Sequence, residues 1–178
     1  MRHTLLILAM LLSGCTAVEP DSRPAFVLDA SKPFVIEFGR GSGWHGLDVV
    51  KISKTGSVEL HRTENRPNAE TATLQLSAAD VKKVVDQLNS CQLTSLGRSY
   101  SDPGVQDGTQ WILWIQQSAS EKSVYFNNAF PAPINAFAGG LDAVLQNAGL
   151  SNVSWTPIPK QQGIDQQKAL WARIQPAK

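Results

Sequence analysis

The alternation of apolar and polar residues predicts β-strands in the first half of the chain. A short β-type run covers residues 34–38, and the glycine-rich residues 39–43 are predicted to end it. Residues 47–53 and 57–63 predict a hairpin that turns at residues 54–56. In its second arm apolar residues occupy one face and polar residues the other, which is typical of a half-buried antiparallel strand.

Residues 77–90 predict the strongest helix. Ser77 is a favoured capping residue, and Asp80, three positions later, suits the positive end of the helix dipole. Apolar residues then recur at i, i+3, i+4 and i+7, which predicts a stripe against a core: Val81, Val84, Val85 and Leu88.

A second helix is predicted to begin near Pro133 and to end at Gly149. Its apolar face consists of Ile134, Phe137, Leu141, Val144 and Leu145. A weaker pattern favours a short C-terminal helix over residues 163–174, after an extended tail at residues 154–159.

Residues 111–115 are apolar on both faces, which predicts a central strand that is covered on each side. Residues 117–121 turn it into a further strand at residues 123–126. This order of elements predicts an α+β fold, an antiparallel sheet of about five strands with two main helices packed on one face. Residues 33–178 form a single globular domain in this interpretation.

The first fourteen residues predict a signal peptide. Arg2 supplies a positive charge, and residues 5–12 are eight uninterrupted apolar residues. As a helix they rise only about 12 Å, against a hydrocarbon core of about 30 Å, so this run is too short to span a membrane.

The next residues resemble the lipobox of bacterial lipoproteins, in the run Leu12-Ser13-Gly14-Cys15. The resemblance implies that residues 1–14 are removed and that the sulfur of Cys15 receives diacylglycerol carrying chains such as palmitate. Two or more acyl chains anchor a protein stably, at about 0.8 kcal/mol per buried CH₂. The alternative is an ordinary secretory signal that ends near a cysteine.

The residue after the cysteine is Thr16 rather than Asp, which by the same resemblance favours the outer membrane, facing the periplasm. The lipidated cysteine and an extended tether then occupy residues 15–32, where Pro20 and Pro24 stand among polar residues.

Charge and cysteine content narrow the function classes. The chain has 16 basic and 15 acidic residues, and the loss of Arg2 with the signal leaves the two equal. A net charge of zero argues against a nucleic-acid partner or a polybasic membrane surface. Cys91 is the only thiol besides Cys15, so stability must come from packing rather than from a disulfide within the chain.

Several features follow one another in a loose order: the hairpin turn at residues 54–57, Leu76-Ser77 at the first helix, Tyr100 and Asp107-Gly108 before the apolar strand, and residues 127–133 before the second helix. Over residues 34–148 this order resembles a family of small exported bacterial domains of unknown function. No activity is assigned to that family, so the resemblance implies no catalytic residues.

The glycine-rich loop at residues 41–46 presents Trp44 and His45, which suggests a binding loop or a histidine base. A glycine-rich turn whose tryptophan folds onto the core is the favoured interpretation. Trp44, Trp155 and Trp171 lie in loops or in the weak C-terminal helix, so any exposed aromatic site should come from these three. The candidate binding residues are Trp44, His45 and Trp155. Two further tryptophans, Trp111 and Trp114, are expected to face the two sides of the sheet.

Other chemistry has less support. Cys91 and His45 could form a nucleophile and base, but a buried structural thiol is commoner at a helix end. His45 and His61 are too few for a recognisable zinc site. Residues 102–108 contain two carboxylates but lack the ligand spacing of an EF-hand, so a turn is the better interpretation. We expect neither a metal nor a cofactor.

These observations favour a membrane-anchored envelope lipoprotein that acts as a non-catalytic protein-binding module, either an accessory subunit or an immunity-like inhibitor. Its expected partners are the membrane and another envelope protein, and not nucleic acid. Two alternatives stay open. One is an envelope enzyme that uses His45 with Asp48 or Asp107, and the other is a carrier of a small ligand.

Overall fold

The computed structural model describes residues 17–19, 26–42, 44–63, 68–105 and 108–174. The strands in these ranges are β1 (Ala17–Glu19), β2 (Phe34–Ser42), β3 (Gly46–Ser53), β4 (Ser57–Arg62), β5 (Glu70–Gln75), β6 (Ser99–Ser101), β7 (Thr109–Gln117), β8 (Ser120–Asn127) and β9 (Thr156–Pro157). The helices are α1 (Ala78–Ser90), α2 (Ala132–Asn147) and α3 (Lys160–Ala172), with 3₁₀ turns at Leu93–Ser95 and Leu150–Asn152.

Across the described ranges, nine strands form one sheet in the order β1-β6-β8-β7-β2-β3-β4-β5-β9. Of the neighbouring pairs, only β6 with β8 is parallel. The α+β class is confirmed, whereas the expected count of about five strands is wrong. The prediction missed β1, β5, β6 and β9, since three of these have at most three residues and β5 fully buries only Ala72.

One face of the sheet carries the main core. Buried side chains of α1 and α2 join those of the central strands in one cluster, and they include every residue of the two predicted apolar stripes. The predicted cap of α1 is present, because the Asp80 backbone N–H donates to Ser77 Oγ at 3.1 Å. Both predicted helices therefore exist and pack on the same face.

The opposite face is covered by α3, which begins three residues before the predicted Gly163. Leu170 is buried against Leu47 and Ile112. Beneath it lies Gly39, where a Cβ atom would come within 2.8 Å of Leu170 Cδ2. Gly39, one of the glycines expected to end the first strand, instead allows this close approach, and β2 continues to Ser42. Helices thus lie on both faces of the sheet, not on one alone.

Packing begins within the segment predicted to be a tether. Phe26 and Leu28 are buried in the main core. The Asn89 side chain accepts from the Leu28 backbone N–H at 3.2 Å and donates to its carbonyl at 2.9 Å. The domain therefore includes residues before 33, because this segment contributes to the core.

The predicted signal peptide at residues 1–14 and the predicted lipidation site Cys15 lie outside the described residues. Among the helices of the described ranges, none is both long and apolar enough to cross a bilayer.

Candidate functional site

The α3 face of the sheet carries a row of alternating charges. Glu37 on β2 is paired in register with Lys51 on β3, and Lys51 is paired with Glu59 on β4. Opposite charges that face each other across strands attract, and Lys51 Nζ lies 3.2 Å from Glu59 Oε2. The polar positions of three adjacent strands are therefore coupled electrostatically.

The C-terminal end of α3 closes this row. Arg173, which follows the helix, places its Nη1 2.6 Å from Glu37 Oε2 and its Cζ 3.8 Å from the ring centroid of Trp114. Glu37 is only 7% exposed. Burial raises the pKa of Glu37 above its ordinary value of 4.5, and the Arg173 guanidinium opposes that rise. The ion pair thus compensates a carboxylate that the sheet removes from water.

His61 is the buried imidazole of this cluster. Its side chain is 15% exposed, and its Nε2 lies 3.9 Å from Glu59 Oε2. In the part of the chain that the structure describes, its Nδ1 is buried without a hydrogen-bond partner. Burial lowers the pKa of His61 below its ordinary value of 6.5, and the Glu59 carboxylate opposes the effect. The ring is therefore mainly neutral at neutral pH.

These side chains line a cavity of about 220 Å³ beside α3. Glu37 and His61 are mostly buried, whereas Lys51 and Glu59 are 36% and 47% exposed. A cleft that holds charged groups and titrating groups with shifted pKa values is a candidate functional site. The sequence placed Glu59 and His61 on a polar face, but α3 converts that face into a cavity.

We predict that His61 makes the fold less stable in acid. Because its folded-state pKa is lowered, its contribution to stability is present above pH 6.5 and is lost as the pH falls through the folded-state pKa. Wild type should therefore lose more stability than His61→Gln between about pH 7.5 and about pH 5, measured by urea unfolding.

His45→Gln is the matched control, because His45 is exposed. This variant should lose as much stability as wild type does between the two pH values. Glu37 acts in the opposite sense, since its pKa is raised and its contribution is present below pH 4.5 and lost as the pH rises through its folded-state pKa. Glu37 is common to the proteins compared, so its effect cancels. An equal loss in wild type and His61→Gln would contradict the prediction.

The predicted binding turn lies at the hairpin between β2 and β3. Trp44 is 75% exposed, so the interpretation in which it folds onto the core is wrong. His45 Nδ1 lies 3.2 Å from Ser42 Oγ, which also accepts from the His45 backbone N–H at 3.1 Å. Of the carboxylates expected to assist His45, Asp48 accepts from the Thr63 backbone N–H at 2.7 Å, and Asp107 lies outside the described residues.

Trp155 lies in a different setting. Its indole is half-buried, and the Arg62 guanidinium lies 3.9 Å from its ring centroid. Arg62 Nε also lies 2.6 Å from Glu70 Oε2, which fixes the cation over the ring. Trp155 and Arg62 line a hollow of about 230 Å³ with Arg40 and Asp142, which form a two-bonded ion pair.

The remaining candidate residues of the sequence are packed in the interior of the domain. Cys91 is buried, its Sγ lies 3.4 Å from the Gln87 carbonyl and 3.3 Å from the Pro133 carbonyl, and burial raises its pKa. The buried-thiol interpretation is therefore confirmed. Trp111 packs on Phe38 in the main core, whereas Trp114 lies under Arg173 on the other face, as predicted. Within the described ranges, no three His, Cys, Asp or Glu residues gather as metal ligands.

The fold and its polar cavity define a small α+β domain with a mixed sheet between helical layers. Residues 49–145, more than half of the 178-residue chain, match the family described as Domain of unknown function (DUF6438). The chain belongs to this family. No curated protein matches the chain. The matched region contains Lys51, Glu59 and His61, whereas Glu37 and Arg173 lie outside it.

Proposed function

We propose that the protein is a lipid-anchored domain of the bacterial cell envelope that binds another envelope protein without catalysing a reaction. The eight apolar residues followed by the lipobox-like run at Cys15 support the anchor, which residue 16 directs to the outer membrane, facing the periplasm. The observation that carries the binding role is the stack of Arg62 on Trp155.

Tryptophan and arginine are the residues most enriched among the energetic centres of protein interfaces. Here Arg62 is held by Glu70 and Arg40 is held by Asp142, so both guanidinium groups are already oriented. A preorganised side chain loses less conformational entropy on binding. The hollow around Trp155 therefore suits a protein partner that inserts a complementary side chain.

We expect Trp155→Ala to weaken partner binding by at least roughly 30-fold, as an interface centre worth about 2 kcal/mol requires. A photoreactive residue at position 155 of the full lipidated protein would capture the partner in cells, and titration with the purified partner would give the affinities. Lys83→Ala, exposed on α1, is the control and should bind as wild type does. An unchanged affinity for a folded Trp155→Ala variant would contradict the proposal.

A small-ligand carrier is the second candidate function. It is favoured by the buried His61 Nδ1, which in the described part of the chain has no partner and belongs to a residue lining the polar cavity. Such a ligand would be small and polar, because the cavity measures about 220 Å³ and is lined by charged groups.

A further inference from the structure

The strand pairing brings the start of β1 and the β2–β3 turn to the same end of the sheet. Ala17 is paired with Ser101 on β6, and Ser101 is paired with Asn127 on β8. Asn127 faces the start of β7, and Thr109 there is paired with Ser42, two residues before Trp44. We call this the Ala17 end of the sheet.

The predicted lipidation site is very close to this end. Cys15 precedes Ala17 by two residues, which span at most about 7 Å when fully extended. Since β1 is hydrogen-bonded into the sheet, the acyl chains cannot be separated from the domain by a long flexible linker. An anchored domain therefore holds its Ala17 end against the lipid headgroups.

Exposed hydrophobic side chains concentrate at this end. In the described ranges four large hydrophobic residues are exposed, and Trp44 has the largest exposed fraction, 75%. Val105, 42% exposed, lies in the turn that follows β6 at Ser101. Ile164, 38% exposed, lines a hollow with Gly46 and Thr63, which lie at the Ala17 end of β3 and just beyond β4. The fourth residue, Val27, lies two residues before Asp29, whose backbone N–H donates to Gln117 Oε1 at the opposite end of β7.

From this arrangement we infer that the Ala17 end is a membrane-contact surface, with Trp44, Val105 and Ile164 inserted among the headgroups of the bilayer. The inference rests on the proposed lipidation of Cys15. Tryptophan is enriched at membrane interfaces because its ring is apolar and its N–H is polar. Lys160 and Lys168 line the same hollow as Ile164, where they can attract anionic headgroups.

Two arginines at this end are held in ion pairs, and the carboxylates of Asp102 and Asp165 accept hydrogen bonds from Gly104 and Gln161. Arg40 is paired with Asp142 at 2.5 Å, and Arg62 with Glu70 at 2.6 Å. Two opposite charges at such short distance weaken each other's field at the surface. The bilayer is the occupant that fits, since the site combines scattered apolar tips, two lysines and a lipid attachment within two residues of the sheet.

The test uses the full acylated protein in vesicles of phosphatidylethanolamine and phosphatidylglycerol with brominated acyl chains, which quench nearby tryptophan emission. We expect the quenched fraction of emission to fall by roughly half or more in Trp44→Phe, because Trp44 is the tryptophan placed at the interface. Trp114→Phe, which removes an indole that is 8% exposed and packed under Arg173, should not lower it. Val105→Ser should reduce Trp44 quenching, whereas Val27→Ser should not.

The outcomes separate this inference from the proposed function. Acylated protein with equal quenched fractions in wild type and Trp44→Phe would overturn the inference and leave the anchor intact. Protection of Trp44 by an envelope protein, without lipid quenching, would also overturn it. Failure of wild type to incorporate labelled palmitate would overturn the anchor and the inference together.

Discussion

Replacing Phe38 by alanine is expected to lower the free energy of unfolding by about 3–5 kcal/mol, the range for deletion of a buried aromatic ring. Phe38 lies in the middle of β2 and is 1% exposed. Its ring lies 5.3 Å from that of Phe137 on α2 and 5.6 Å from that of Trp111 on β7, in edge-on geometry. One side chain therefore joins two strands and a helix, and its loss leaves a cavity that rigid strands cannot fill.

Urea unfolding followed by circular dichroism would measure the loss. The matched control is Trp44→Ala, which deletes a larger ring that is 75% exposed and should change stability by less than about 0.5 kcal/mol. Equal losses in the two variants, or a loss below about 1 kcal/mol for Phe38→Ala, would show that Phe38 does not organise the core.

Phe38 belongs to the part of the fold that local pattern predicts. Alternation identified the hairpin of β3 and β4, and periodicity identified α1 and α2, because each buries an apolar face against one core. The same reasoning failed at Gly39, which looks like a strand break in sequence. Its lack of a side chain lets Leu170 of α3 pack closely on β2, and this contact lies between residues far apart in the chain.

The polar cavity was beyond sequence reasoning for the same physical reason. Glu59 and His61 occupy the polar side of an alternating strand, which predicts exposure to water. Only the docking of α3 brings Arg173 onto Glu37 and encloses His61. The helix itself has few buried residues, Gly163 and Leu170, so its own pattern predicted it weakly. A site that forms through contacts between distant segments cannot be predicted from a local sequence pattern.

The exposed turn illustrates the reverse case. The glycine-rich loop allowed a binding turn, but a tryptophan folded onto the core was the favoured interpretation. In the structure Trp44 is exposed, and it lies at the same end of the sheet as the start of β1. The strand register therefore shows at which end of the sheet Trp44 lies, which the sequence pattern alone could not show.

The largest effect in the cell is expected from Cys15→Ala. Without the thiol no diacylglycerol can be attached, so the precursor should remain uncleaved by the lipoprotein signal peptidase and should incorporate no labelled palmitate. Two acyl chains contribute about 0.8 kcal/mol per buried CH₂, and no helix in the described ranges could replace them as a membrane span. Membrane association through lipid should therefore be lost completely.

Cys91→Ala is the control that assigns the label to one sulfur. Cys91 is buried between the Gln87 and Pro133 carbonyls, and burial raises its pKa, so its thiol is neither accessible nor readily ionised. This variant should be processed and labelled as wild type is. Unchanged processing of Cys15→Ala would instead mean that the apolar run is an ordinary secretory signal. The short distance from Cys15 to β1 would then have no bearing on how the domain meets a membrane.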